Sequence, residues 1–160
     1  MYGLQAEAHF DAAHFLTDYH GKCENLHGHR WRVVATIEVA ELQGAEAGGH
    51  LRDDGTCGAD GTERDMVVDF GAFKRIVGEV ADELDHTFLV EEGSLSPATV
   101  AALEAEGFTL TVLPFRTTAE NLARHVFDRL AERGLPISQV EVDETPNNRA
   151  FYAPEGHVGR

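Results

Sequence analysis

The feature that most constrains this fold is an alternation of residue types between Trp31 and Val39. Every second position is apolar in the series Trp31, Val33, Ala35, Ile37 and Val39. A period of two predicts a β-strand with one buried face. A looser alternation from Leu4 to Ala12 predicts an earlier strand, and the polar, irregular segment 16–26 between them predicts a loop. The chain therefore begins with a strand, a long loop and a second strand.

Two amphipathic helices are predicted further along the chain. The first follows Asp69 as its N-cap, with apolar residues at three- and four-residue steps over 70–84. The second begins at Thr117, whose spacing to Glu120 is that of a capping box, and ends before Gly134.

Three more strands are predicted in the second half, at 108–115, 137–144 and 149–153. Runs of strands that lie apart from helices favour the α+β class over a parallel α/β sheet. At 160 residues the chain fits one domain, 1–160. We expect an acidic, glycine-rich loop insertion at about 41–64 within that domain.

The charge balance restricts the partners of the chain. Thirteen Lys and Arg residues against 28 Asp and Glu residues give a formal net charge of −15. Such a charge repels phosphate backbones and anionic lipids, so nucleic acid and membranes are not expected partners. A small anionic substrate stays possible, because a metal and local cations can reverse the field in a cleft. The sequence has no leader-like or membrane-spanning apolar run, so a cytoplasmic protein is expected.

Three histidines form a candidate metal site. His27 and His29 are two residues apart at the start of a strand, so their rings point to the same side. His14 ends the first predicted strand, where strand pairing can bring it alongside them. Three neutral imidazoles suit Zn²⁺ at about 2.0–2.1 Å and leave a fourth position open, as in catalytic sites. Surface histidines that bind no metal are the alternative.

A cysteine lies one short loop before this pair of histidines. The Cys23 thiol is expected to ionise readily near a dication and imidazoles, which suits a base or a nucleophile. Alternatively Cys23 is a fourth zinc ligand and closes a structural site. The other cysteine, Cys57, lies in the glycine-rich segment and is assigned no role.

Two carboxylates are also candidates for chemistry. Asp85 and His86 end the first predicted helix and can form an acid–base pair, although His86 can also simply stabilise the helix C-terminus. Glu144 has the strand parity of Val140 and Val142, so it continues an apolar face. An inward carboxylate has a partner, either a cation or the guanidine-like edge of a heterocycle.

These motifs together resemble the 6-pyruvoyl-tetrahydropterin synthase family. The resemblance rests on six motifs in order: Phe10-Asp11-Ala12-Ala13-His14, Lys22-Cys23 with His27-Gly28-His29, Asp69-Phe70, Leu84-Asp85-His86, Thr118-Ala119-Glu120-Asn121 and Glu144-Thr145. It implies a tunnelling fold, with a four-stranded antiparallel sheet and two helices packed on one face. It also implies trimers that close a barrel, two of which stack into a homohexamer with active sites between subunits.

The resemblance further implies roles for individual residues. It makes His14, His27 and His29 the zinc ligands, Cys23 the catalytic cysteine, Asp85 and His86 the acid–base pair, Glu144 the pterin anchor and Thr118 an aid to that anchor. Zinc is the one implied cofactor. Cations for a triphosphate stay unassigned among Lys22, Arg30, Arg32, Lys74 and Arg149.

The three residues between Cys23 and His27 resemble the carboxytetrahydropterin branch of the family. That branch converts 7,8-dihydroneopterin triphosphate to 6-carboxy-5,6,7,8-tetrahydropterin, acetaldehyde and triphosphate, a step toward queuosine. One alternative is the pyruvoyl-type reaction, which eliminates triphosphate without releasing acetaldehyde. A second alternative is a non-catalytic relative that binds zinc or pterin.

Overall fold

Two long antiparallel strands form the centre of the sheet in a computed structural model that describes residues 1–44, 50–51, 57–58 and 63–155. Strands β1 and β2 pair over their full lengths, from Tyr2 opposite Val39 to His14 opposite His27. In chain order the elements are β1 (Tyr2–His14), a 3-10 helix (Lys22–Glu24), β2 (His27–Val39), β3 (His50–Leu51), β4 (Cys57–Gly58), α1 (Phe70–Asp82), β5 (Thr87–Glu91), α2 (Pro97–Ala105), β6 (Leu110–Leu113), α3 (Ala119–Glu132), β7 (Gln139–Thr145) and β8 (Asn148–Tyr152).

The main sheet has six strands in the order β6-β5-β1-β2-β7-β8. Strand β7 pairs antiparallel with β2, and β8 pairs antiparallel with β7. Strands β5 and β6 instead pair in parallel, β5 with β1 and β6 with β5. The fold is therefore α+β, as predicted, with a mixed sheet.

The predicted four-stranded antiparallel sheet is wrong in strand number and direction. Strand β5 escaped prediction because Leu89 and Val90 are adjacent and both buried, which removes the two-residue alternation. Helix α2 escaped prediction because none of its residues is buried, so it has no apolar stripe. Its start signal is nevertheless present, since Ser96 caps the helix and Pro97 occupies the first turn.

Both predicted helices are present, but only one has the predicted cap. Asp69 accepts a hydrogen bond from Ala72 N at 2.9 Å and caps α1, as expected. Helix α3 is capped by Thr118, whose Oγ1 accepts from Asn121 N at 3.3 Å. The predicted capping box of Thr117 is therefore wrong, because the Thr117 hydroxyl donates to Phe15 O at 3.1 Å instead.

One face of the sheet carries the hydrophobic core. Trp31, Val33, Ala35 and Ile37 are fully buried, whereas Glu38 on the opposite face of β2 is exposed. Helix α1 packs against β1, and α3 packs against β7, β8 and α1. At one end of β1 and β2, histidines take the core-facing positions in place of apolar residues.

The predicted insertion at 41–64 lies mostly outside the described residues. Its described backbone includes the short β3–β4 pair, and the side chain of Cys57 is not described. The Gln43 amide donates to Glu63 Oε2 and Val67 O, both at 2.9 Å, so the two ends of the segment meet. Among the helices of the described residues, none has the length and apolarity that a membrane crossing requires.

Truncation of a core leucine tests this packing. Leu122 of α3 is fully buried, so Leu122→Ala is expected to lower the free energy of unfolding by about 2–5 kcal/mol. Leu26 is 61% exposed, and Leu26→Ala makes the same chemical change as a matched control. Urea unfolding at one protein concentration measures both variants. Equal losses in the two variants would contradict the assigned core.

Candidate metal centre

The pairing of β1 with β2 brings the three predicted histidines together. His14 lies directly opposite His27, and His29 lies opposite Ala12, two residues from His14 on the same face. The ring centroids are 4.5 Å apart for His14 and His27, 4.8 Å for His27 and His29, and 5.3 Å for His14 and His29. One ion can therefore contact all three rings.

Backbone carbonyls fix the orientation of two of these rings. His14 Nδ1 lies 2.9 Å from Thr117 O, and His27 Nδ1 lies 2.7 Å from Asn25 O. A carbonyl oxygen can only accept, so each Nδ1 carries the hydrogen and each Nε2 keeps its lone pair. Bonds of this kind hold metal-binding histidines in the required tautomer.

A carboxylate completes the cluster. The Nε2 atoms of all three histidines are buried and have no hydrogen-bond partner among the described residues. Glu144 Oε1 lies 3.5 Å from His14 Nε2 and 3.6 Å from His29 Nε2. Each of the four residues offers one atom that could bind a metal, and these four atoms all lie within 4.8 Å of one another. Lone pairs that converge in this way repel one another unless a cation lies between them.

Burial keeps the imidazoles of His14 and His29 neutral. The His14 side chain is fully buried, and this desolvation lowers its pKa from 6.5 to about 4 despite the hydrogen bond with Thr117. Burial also lowers the pKa of His29, although the Glu144 carboxylate opposes the shift. The buried Trp31 ring packs against both imidazoles, with its centroid 5.0 Å from that of His14 and 5.2 Å from that of His29. Neutral imidazoles are the form that binds a metal.

Cys23 lies beside the cluster and is not one of its four members. It sits in the short 3-10 helix, where its carbonyl accepts from Leu16 N at 2.8 Å. Its side chain is half-buried and lines a cavity of about 390 Å³ together with Thr118 and Glu144. The four-residue cluster thus contains the Glu144 carboxylate and not the Cys23 thiol, which argues against a closed zinc site with a cysteine ligand.

Asp85 and His86 form a hydrogen-bonded pair between α1 and β5. Asp85 Oδ2 lies 2.6 Å from His86 Nδ1, and Asp85 Oδ1 accepts from Asp11 N at 2.7 Å. The bond from Asp11 and the bond with His86 lower the pKa of Asp85, whereas Asp85 raises the pKa of His86. His86 has a φ of 53°, rare for a side-chain-bearing residue, and its side chain is 80% exposed. His86 lines a cavity of about 520 Å³ together with His29.

The predicted site residues line two different cavities. Cys23, Thr118 and Glu144 line one, while His29 and His86 line the other. Thr117 and Asn25 could not be predicted as partners of the histidines, because both contribute a backbone carbonyl, which every residue carries. Glu144 was predicted to face inward, and it does so beside the histidines.

Comparison with known families identifies relatives over almost the whole chain. Residues 3–155 match the family model described as 6-pyruvoyl tetrahydropterin synthase. The 6-carboxy-5,6,7,8-tetrahydropterin synthase of Haemophilus influenzae is 34% identical over 95% of this chain and 99% of its own length. The enzyme of the same name from Synechocystis is 31% identical over 95% of this chain and 93% of its own length.

Solved structures share the fold. A crystal structure of an uncharacterized protein from Wolinella succinogenes matches with a TM-score of 0.69 and 23% identity, over 96% of this chain and 98% of that one. The 6-pyruvoyl tetrahydropterin synthase of Plasmodium falciparum matches with a TM-score of 0.61 and 22% identity, over 94% and 96% of the two chains. At these identities the likeness concerns the fold alone.

Removal of one imidazole tests the metal centre. His29→Ala is expected to weaken zinc binding at least about a hundredfold. Loss of a residue that only hydrogen-bonds to a metal ligand costs up to about a hundredfold in affinity, and loss of the ligand itself costs more. Exposed His20 provides the matched control, and His20→Ala is expected to bind zinc normally. Competition with a chromophoric chelator measures both affinities. Wild-type affinity in His29→Ala would contradict the assigned ligand.

The buried His14 predicts how stability depends on pH in the metal-free protein. Its pKa is about 4 in the folded chain and 6.5 when unfolded, so protonation favours the unfolded state. The contribution of His14 to the free energy of unfolding is fully present above pH 6.5. It is lost between pH 6.5 and about 4, by at most about 1.4 kcal/mol per pH unit. Urea unfolding in EDTA measures the slope, which His14→Gln is expected to reduce and His20→Gln to leave unchanged. An unchanged slope in His14→Gln would rule out this assignment.

Proposed function

The chain belongs to the 6-pyruvoyl tetrahydropterin synthase family, and from that premise we propose that it is a zinc-dependent 6-carboxytetrahydropterin synthase. As a single pterin synthase-like domain, it would convert 7,8-dihydroneopterin triphosphate and one water molecule to 6-carboxy-5,6,7,8-tetrahydropterin, acetaldehyde and triphosphate. The observation that carries the proposal is the convergence of three Nε2 atoms, unpartnered among the described residues, beside Glu144, which lines the same cavity as the Cys23 thiol. The names of the relatives from Haemophilus influenzae and Synechocystis favour this branch.

His14, His27 and His29 would hold the metal through Nε2. Three imidazole nitrogens are a donor set that suits zinc, and burial keeps those of His14 and His29 deprotonated. Zinc bound there would supply a Lewis acid that stabilises negative charge on oxygen atoms of the substrate side chain.

Glu144 would bind the pterin ring. Its carboxylate can accept two parallel hydrogen bonds from the guanidine-like edge of a pterin. The side chain is 22% exposed, and it lines the cavity that holds Cys23 and Thr118, so a ligand can reach it. Because Glu144 also lies beside the histidines, a pterin bound to it would place its own side chain near the metal.

Cys23 and His86 would move protons. The Cys23 thiolate would accept a proton from the substrate side chain. Asp85 holds His86 Nδ1 at 2.6 Å and raises the His86 pKa, which leaves Nε2 to donate or accept a second proton. Because Cys23 and His86 line separate cavities in one chain, we propose that two subunits complete each site in a hexamer of two stacked trimers.

Product identification tests this proposal. Purified, zinc-loaded protein is incubated with 7,8-dihydroneopterin triphosphate, and the pterin product is identified by mass while acetaldehyde is assayed enzymatically. We expect 6-carboxy-5,6,7,8-tetrahydropterin and an equal amount of acetaldehyde. Triphosphate release without acetaldehyde would assign the pyruvoyl-type reaction instead, and pterin binding without turnover would assign a non-catalytic relative.

The proton-transfer role of Cys23 has its own test. Cys23→Ala is expected to lower kcat by about a hundredfold to ten-thousandfold, because general-base catalysis contributes that much. Its zinc content is expected to stay at the wild-type level, since the thiol is not part of the four-residue cluster. Cys57→Ala removes the other thiol and serves as the control. Full turnover in Cys23→Ala would exclude the base assignment, and loss of zinc would indicate a ligand.

A further inference from the structure

Arg116 is held in place by its backbone and by an aromatic ring. It lies between β6 and α3, where its carbonyl accepts from Thr118 N at 2.8 Å and from Asn121 Nδ2 at 3.0 Å. Its guanidinium carbon lies 5.8 Å from the centroid of the Tyr19 ring, within the range of a cation–π contact. The side chain is therefore directed by neighbours that do not neutralise its charge.

The guanidinium of Arg116 differs from the other arginines that the structure describes. Each of the other eight described arginines lies within 4.0 Å of a carboxylate oxygen: Arg30, Arg32, Arg64, Arg75, Arg124, Arg129, Arg133 and Arg149. Within the described residues Arg116 has no such partner, and its Nε and Nη2 atoms are buried without a hydrogen bond. Buried donors on a charged group are costly when unpaired, so an anionic partner is expected.

The cavity next to this guanidinium contains the proposed catalytic groups. Arg116, Tyr19, Cys23 and Glu144 all line the same space of about 390 Å³. The Glu144 carboxylate is directed toward the histidines and does not pair with Arg116. Arg116 thus lines this space without a carboxylate partner among the described residues.

A second arginine lines the cavity but is already partly neutralised. Arg149 Nη1 lies 3.5 Å from Glu141 Oε1, and Arg149 Nε lies 3.8 Å from Asp143 Oδ1. Its side chain is 56% exposed, so it contributes a screened charge at the surface. Arg116 is therefore the principal free positive charge of the cavity.

We propose that Arg116 binds the triphosphate end of the substrate. A guanidinium offers a planar fork of N–H donors that matches phosphate oxygens, and its charge stays fixed at any physiological pH. Glu144 would bind the pterin ring and Arg116 the triphosphate, so the two residues would hold opposite ends of one molecule in the cavity that Cys23 also lines. The assignment rests on the proposed function for the identity of the ligand, but binding of a polyphosphate can be measured independently of turnover.

Inorganic tripolyphosphate is the probe for this site. Isothermal titration calorimetry of the zinc-loaded protein is expected to show binding that Arg116→Gln weakens about tenfold to a hundredfold, since hydrogen bonds to a charged group are lost. Arg116→Lys keeps the charge but loses the fork, so a smaller loss is expected. Arg124→Gln removes the same charge from the exposed side of α3 and is expected to bind normally.

Two further readouts separate ligand binding from a structural role. Arg116→Gln is expected to raise KM for the substrate by a similar factor while zinc content stays unchanged. Its thermal unfolding temperature is expected to stay level or rise, because the change removes an unpaired buried charge. If the variant does not fold, Arg116→Lys decides the comparison against Arg124→Gln.

Several outcomes would overturn the assignment. These are tripolyphosphate affinity that does not depend on Arg116, an equal loss of affinity in Arg124→Gln, and dissociation of the oligomer by Arg116→Gln with binding intact. Tripolyphosphate binding through Arg116 in a protein that does not turn over 7,8-dihydroneopterin triphosphate would support the anion site and reject the proposed function. Turnover of 7,8-dihydroneopterin triphosphate together with tripolyphosphate binding that does not depend on Arg116 would support the proposed function and reject the anion site.

Discussion

The antiparallel ladder between β1 and β2 is the constraint on which the rest of the structure depends. Because side chains alternate along a strand, the pairing of His14 with His27 places three imidazoles on the face that carries Trp31 and the core. A shift of one residue would move a whole strand's side chains to the other face. The apolar alternation from Trp31 to Ile37 opposes such a shift, since it would expose the core. The hydrophobic effect thus fixes the geometry of a polar site.

Stability and metal binding are coupled at the end of this ladder. Core residues are normally apolar, yet here His14 is fully buried and three Nε2 lone pairs converge on the Glu144 carboxylate. Neutral imidazoles avoid the cost of a buried charge, but they leave acceptors facing one another without donors. A metal ion removes that repulsion, so the apolar packing that positions the site also makes the ion favourable. The carbonyls of Thr117 and Asn25 hold the rings in the tautomer that such an ion requires.

Sequence patterns predicted those elements whose two sides differ in polarity. Strand β2, both long helices and the inward direction of Glu144 follow from periodicity alone. Strand β5 is buried without alternation, and α2 is exposed without an apolar stripe, so neither has a periodic signal. The observed cap of α3, Thr118, lies one residue after the predicted cap, Thr117. The two threonines are chemically alike, and only the tertiary contact of Thr117 with Phe15 distinguishes them.

The cations show the same limit of sequence reasoning at the level of function. Arg30, Arg32 and Arg149 were all candidates for binding a triphosphate, yet each is within reach of a carboxylate on a neighbouring strand. Those pairs depend on strand register, which residue types alone do not specify. In a chain with a net charge of −15, an arginine without a carboxylate partner is the exception among the described residues, and only the folded structure identifies Arg116 as one. A surface that repels polyanions can therefore surround a cavity with a local positive charge.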